Sequence, residues 1–273
     1  TIAGRSRGRL PVSDGYDLMT GLRRAVKHSV PPPLALLLSY PSNPTAKVVD
    51  LDFYGEVVDF CRAHDIFIIS DVAYSEIYFD VPPPPSILQV PGAREIAVEF
   101  TSLSKTYSMP GWRVGFCAGN ARLVGALARV KSYLDYGAFT PIQVASIAAL
   151  NGPQDCVEEP RALHRRRGDW LADPSPGGGW GGPPPPASMF AWAPIPEPFD
   201  RLGSLEFAKL LLQEAKVAVS PGVGFGEYGE GHVRLALVEN TQRIRQAARN
   251  IRQFLSSART LDKAERAQRM AAQ

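Results

Sequence analysis

The sequence predicts an α/β protein, a mostly parallel sheet sandwiched by helices, followed by a smaller α+β carboxy-terminal unit. Three observations carry this expectation. Short, continuous apolar runs recur between longer stretches with helical spacing, the pattern of strands buried on both faces. Polar residues gather where those runs end, and open α/β sheets bind ligands at the carboxyl ends of their strands. Beyond about residue 150 proline and glycine become frequent and the alternation changes character.

Taken in order, Leu34-Ala35-Leu36-Leu37-Leu38 reads as a buried strand followed by a loop rich in Pro, Ser and Asn. Residues 51–64 place Leu51, Tyr54, Val57, Val58 and Cys61 on one face of an amphipathic helix. Ile66-Phe67-Ile68-Ile69 is a second strand, ending at Ser70-Asp71, and residues 96–100 a third, ending at Thr101-Ser102. Val114-Gly115-Phe116-Cys117-Ala118 reads as a fourth, and residues 121–134 as a helix. Pro160, Pro174, Pro176, Gly177-Gly178-Gly179 and the prolines at 183–186 leave little room for regular structure. Met189-Phe190-Ala191-Trp192 then reads as a strand and residues 204–214 as a helix capped by Ser204. Val217-Ala218-Val219 and Val233-Arg234-Leu235-Ala236-Leu237 follow as strands and residues 241–254 as a helix. The expected division is a large domain over 1–150, a small one over 151–256, and a polar tail over 257–273 that is helical or loose.

Composition narrows the function classes. A chain of 273 residues holds one large or two ordinary domains, and 45% hydrophobic with 21% charged residues suits a soluble globular protein. The net charge of +3 is small and dispersed, apart from Arg165-Arg166-Arg167, which reads as a solvated helix face, so no nucleic-acid partner is expected. Cys61, Cys117 and Cys156 are odd in number and far apart, which suggests free thiols in a reducing compartment. His28, His64, His164 and His232 lack metal-ligand spacing, so no metal is expected. No apolar run approaches a membrane span, and Thr1-Ile2-Ala3-Gly4-Arg5 lacks the apolar core of a signal peptide. A cytoplasmic enzyme is the expectation.

The residues that carry chemistry form an ordered set. Asn43 lies in Ser42-Asn43-Pro44-Thr45, Asp71 closes a strand, Tyr74 follows it, and Lys105 lies just past another strand end. Singly, each has a plain structural reading: Asn-Pro as a turn, a strand-end Asp as a cap, a lysine as a solvated surface residue. Together, each on a carboxyl edge, they resemble the fold-type I, class I/II pyridoxal-phosphate-dependent aminotransferases. The resemblance runs over about residues 34–254. Its most specific stretch is Ser102-x-Ser104-Lys105-x-x-x-Met109-x-Gly111-x-Arg113-x-Gly115.

The resemblance implies pyridoxal phosphate as cofactor, with Lys105 forming the Schiff base to its aldehyde and later acting as general base at the substrate Cα. Asp71 is implied as the acid beside the ring nitrogen, which a carboxylate keeps protonated. Asn43 and Tyr74 are implied as donors to the phenolic oxygen, and Ser102 and Arg113 as holders of the phosphate, where a guanidinium can bond two oxygens at once. Amino acid and 2-oxo acid are the implied substrates.

Gly224-x-Gly226-x-x-Gly229 matches a dinucleotide fingerprint as a string, but the next element reads as a strand where that motif needs a helix. Pro221-Gly222-x-x-Phe225-Gly226 instead resembles the aminotransferase loop leading to the arginine that clamps the substrate α-carboxylate, here Arg234. The run from Lys131-Ser132-Tyr133 to Phe139-Thr140-Pro141 resembles the bacterial alanine (glutamate–pyruvate) and LL-diaminopimelate aminotransferase branch. In that family a loop here crosses to a partner subunit, which implies a homodimer with Gly137, Phe139 and Thr140 near the partner's site; a tight turn ahead of a helix is the equal alternative.

Two departures stand out. A complete relative carries an amino-terminal third before Leu34, with an arm, the phosphate loop and an aromatic that stacks on the cofactor ring, so the sequence reads as a fragment with weak cofactor binding and little or no transaminase activity of its own. Residues 158–186 also break a long helix of the family, since interior Pro costs about 3 kcal/mol and Gly about 1. Against a transaminase stand a lyase on the same cofactor and a non-enzymatic, ligand-sensing domain of a transcription regulator.

Overall fold

The computed structural model describes residues 8–12, 15–173, 180 and 183–271, with backbone alone over 258–271. The expectations for Thr1-Ile2-Ala3-Gly4-Arg5 and for Pro174, Pro176 and Gly177-Gly178-Gly179 lie outside the described residues. Contacts divide the chain into two compact units, the first comprising residues up to Asn43, Lys47–Arg161 and Pro186–Ser188.

In that first unit, α1 (Leu18–His28) precedes β1 (Ala35–Ser39), α2 (Leu51–Ala63), β2 (Phe67–Asp71), β3 (Ala97–Ser102) and the single turn α3 (Leu103–Thr106). β4 (Gly115–Gly119), α4 (Ala121–Leu134), α5 (Thr140–Asn151) and the start of α6 (Asp155–Ala172) complete it. The sheet order is β1-β2-β3-β4, with β1, β2 and β3 parallel and β4 antiparallel at the edge. The expected mostly parallel α/β sheet is therefore present.

The helical spacing read from the sequence is what packs it. Tyr54, Val57, Val58 and Cys61 of α2 are fully buried with Leu38, Ile66 and Ile68, while Asp50 caps the helix by accepting from Phe53 N. Burial pushes the Cys61 thiol up to about 12, which leaves it without nucleophilic character near neutral pH. Leu51, expected on the same face, remains exposed at the first helical position.

The second unit holds the rest of α6, then β5 (Phe190–Pro194), α7 (Ser204–Leu210), the short β6 (Ser220–Pro221), β7 (His232–Ala236) and α8 (Thr241–Ala271). Its sheet is antiparallel in the order β5-β7-β6. Phe207, Leu211, Val233, Leu235, Leu237 and Ile251 form its core. Ile244, Ala248, Ile251 and Leu255 are the buried stripe that commits α8 to this core.

Four sequence expectations are corrected here. The helix expected to be interrupted at Pro160 and from Gly168 onward is continuous over Asp155–Ala172. His164 Nδ1 lies 3.1 Å from the Leu237 carbonyl, Arg167 Nη1 donates to the same oxygen at 2.8 Å, and Leu171 is buried, so packing outweighs local propensity. Val217-Ala218-Val219 is not a strand; pairing on β7 begins only at Ser220, after a π-helical turn over Leu211–Ala215 ends with Lys216 in the left-handed region. The helix expected over 204–214 accordingly stops being α-helical at Leu210. Ser204 is not its cap but its first residue, with its backbone N–H and hydroxyl both donated to Glu230.

Candidate active site

The carboxyl edge of the four-stranded sheet collects the candidates of the first unit. Ser39 pairs with Asp71, Asp71 with Phe100, and Ser102 with Gly115, so three strand ends and the start of β4 lie along one edge. Asn43 follows β1, Tyr74 follows β2, Lys105 sits in the turn that follows β3, and Arg113 precedes β4 by one residue more than Val114. The motif's Gly115 has a steric reason: a Cβ there would stand 2.5 Å from the Thr101 carbonyl oxygen. Only a glycine lets β4 approach β3 closely enough for Gly115 to pair with Ser102.

Each side chain has a defined setting. Asp71 is exposed, and its Oδ1 accepts from Ala73 N at 3.1 Å. Tyr74 is buried, and Lys105 Nζ lies over its ring, 5.9 Å from the centroid. Asn43 is exposed in the loop after β1. Ser102 caps the turn carrying Lys105, its Oγ accepting from Ser104 N at 3.1 Å. Arg113 stands exposed in the left-handed region, φ 53°, with Nη1 donating to the Pro110 carbonyl at 3.0 Å. Lys105 and Tyr74 thus meet across two strand ends, while Ser102 and Arg113 each bond within their own loops.

One further residue behind this edge was not singled out from the sequence. Glu99 interrupts the apolar residues Val98 and Phe100 of β3, and Ser86 Oγ donates to its carboxylate at 2.9 and 3.0 Å while Ile87 N donates at 3.1 Å. Burial pushes its carboxyl above the usual value of 4.5, against the pull of those hydrogen bonds. A charged residue inside an apolar run was the available signal.

Arg234 belongs to the second unit, on β7 between the buried Val233 and Leu235. Its guanidinium lies over the rings of Phe190, at 4.2 Å, and Phe225, at 4.6 Å, and Nη2 donates to Ser220 Oγ at 3.4 Å. The glycine string of residues 224–229 forms 3-10 turns that lead into β7, a strand, so the rejected dinucleotide motif has no helix to open. Gly137 lies in the turn after α4, Phe139 is the cap of α5 and Thr140 its first residue; all three are exposed, with 71% of Phe139 accessible.

A parallel sheet that brings a lysine, a phenol, a carboxylate and a guanidinium to one carboxyl edge, followed by a small antiparallel unit with a strand arginine, is the fold-type I architecture. Comparison with known proteins agrees. The profile of aminotransferases class I and II matches residues 14–251. The chain is 65% identical over 257 residues to the putative aminotransferase AatC of Rhizobium meliloti (strain 1021), covering 94% of this chain and 64% of AatC. It is 53% identical over 251 residues to the glutamate-pyruvate aminotransferase AlaC of Escherichia coli (strain K12), covering 92% and 61%. Among solved structures, apo-BacF from Bacillus subtilis superposes with a TM-score of 0.77 at 32% identity, covering 82% of this chain and 59% of BacF. The chain belongs to the class I and II aminotransferase family, and it spans under two thirds of the length of these relatives. Among the described residues, no helix is long and apolar enough to cross a membrane.

Proposed function

We propose that this chain carries the cofactor-holding and substrate-binding residues of a pyridoxal-phosphate-dependent transaminase acting on alanine- or glutamate-like amino acids and their 2-oxo acids. The observation that carries the reading is the gathering of Asn43, Asp71, Tyr74, Ser102, Lys105 and Arg113 along one sheet edge, with Lys105 Nζ over the Tyr74 ring. The chemistry of this donor set fits the cofactor. An amine suits its aldehyde, a carboxylate its ring nitrogen, an amide and a phenol its phenolic oxygen, and a hydroxyl and a guanidinium its phosphate.

In this reading Lys105 would hold the cofactor covalently and Asp71 would pair with its ring nitrogen. Asn43 and Tyr74 would donate to its phenolic oxygen, and Ser102 and Arg113 would bind its phosphate. When bound, pyridoxal phosphate supplies an electron sink for the pair left on the substrate Cα. With its amine free, Lys105 would act as the general base that takes the proton from the substrate Cα. Arg234 takes the substrate α-carboxylate through its paired N–H groups. The choice of alanine and glutamate rests on the name of AlaC and on the run over 131–141. A homodimer in a cytoplasmic setting is part of the same reading. It is supported by the exposure of Tyr133, Tyr136 and Phe139, large apolar side chains on and beside the 137–140 loop.

The test is to supply excess pyridoxal phosphate, add L-alanine with 2-oxoglutarate or L-glutamate with pyruvate, and identify the products. Formation of the 2-oxo acid with retention of all its carbons is expected. Arg234→Ala should raise KM by a factor corresponding to about 2–5 kcal/mol while leaving cofactor absorption unchanged. Loss of carbon dioxide or of a β-substituent would replace the transaminase with a lyase, and an unchanged KM would remove Arg234 from the substrate site.

A further inference from the structure

The glycine-rich loop before β7 is not absorbed by the cofactor reading, yet its construction is unusually constrained. Gly222 and Gly229 stand back to back: a Cβ on Gly222 would lie 1.8 Å from Gly229 O, and one on Gly229 2.1 Å from Gly222 O. The loop is also pinned from outside itself. Val223 N donates to Ser204 Oγ at 3.0 Å, and Ser204 in turn donates through its hydroxyl to Glu230 Oε2 at 3.1 Å. Between these fixed points sits Phe225, half-exposed, whose ring lies under the Arg234 guanidinium at 4.6 Å. Trp192 meets the Phe225 ring edge-on at 5.8 Å and is itself stacked on His232 at 5.1 Å.

A long arginine side chain has many rotamers, and holding one of them against solvent is costly. An aromatic face restrains a guanidinium in its plane while leaving its N–H edge open to a ligand. We infer that Phe225 is a positioning residue, held by the glycine-paired loop so that its ring presents Arg234 edge-on to a substrate carboxylate. This rests on the reading of Arg234 as the carboxylate-binding residue. It gives the close packing of Gly222 on Gly229 a purpose other than nucleotide binding.

The experiment uses the full 273-residue chain with labelled arginine, titrated with succinate and followed through the Arg234 Nε–Hε resonance. In the unliganded parent that resonance should be displaced by the ring currents of Phe190 and Phe225, and Phe225→Leu should remove the Phe225 share and leave that of Phe190. Succinate should shift it in the parent, with affinity about tenfold weaker in Phe225→Leu and largely restored in Phe225→Tyr, at matched melting temperatures. Arg234→Gln should abolish succinate binding. If Arg234→Gln abolishes binding but Phe225→Leu binds as the parent does, Arg234 keeps its role and the inference about Phe225 fails. If Arg234→Gln binds normally, or the parent does not bind, the carboxylate reading itself fails and takes the inference with it. A parent resonance already at the free-arginine position would overturn the stack without any variant.

Discussion

Lys105 Nζ lies over the ring of Tyr74, 5.9 Å from its centroid, although the two residues follow different strands and stand 31 positions apart in the chain. The parallel pairing of β2 with β3 brings the two strand ends together, and the buried Tyr74 gives the lysine a fixed surface to lie on. Lysine stems commonly pack along apolar surface while the amine stays accessible. In the proposed site this keeps the amine in one region of the sheet edge.

Asp71→Asn should retain the fold, because the asparagine keeps an Oδ1 to accept from Ala73 N and the position is exposed. Only the charge proposed to face the cofactor ring nitrogen is removed. Turnover with L-alanine should fall by about 10²-fold or more, while the circular dichroism spectrum is unchanged. Parent-like turnover would leave Asp71 as a strand-end cap alone.

Glu99 provides a pH dependence with a definite sign. Its folded-state pKa is raised by burial, so the neutral form is favoured in the folded protein. Its contribution to stability is full below the unfolded value near 4.5 and is lost as pH rises through the raised folded value. The difference in denaturation midpoint between the parent and Glu99→Gln should therefore move against the parent as pH increases over that window. A difference that does not change with pH would show that Glu99 titrates alike in both states.

Gly222→Ala should destabilise the second unit by about 1–3 kcal/mol, since its Cβ meets backbone rather than a flexible side chain. Gly224→Ala, two residues away with nothing within 4 Å of its Cβ, is the internal control. Thermal melts should separate the two variants, and equal melting temperatures would contradict the close approach of Gly222 and Gly229.

The first sheet was legible because its strands are continuous apolar runs, and α2 because Tyr54, Val57, Val58 and Cys61 keep helical spacing. α1 escaped notice despite its signals, Asp17 as a cap accepting from Met19 N and Met19 and Leu22 as the buried stripe, because two arginines and Gly21 dilute the pattern. The second unit was less legible, since β6 takes its place from pairing with β7 rather than from its own two residues. The contacts that build the Arg234 setting join Phe190, Ser220, Phe225 and Arg234, and no local spacing encodes them. Glu99 and Ser86, 13 residues apart, are legible only once the turn after Ser86 folds back on β3.

In the proposed site Lys105 is the residue that links to pyridoxal phosphate. Borohydride reduction of the chain incubated with excess cofactor traps even a weakly held adduct, and peptide mapping by mass spectrometry locates it. A single cofactor adduct is expected on Lys105, absent from Lys105→Ala, which should also lack turnover. Recovery of the adduct on Lys131 or Lys47 instead, or equal labelling of Lys105→Ala, would contradict that assignment.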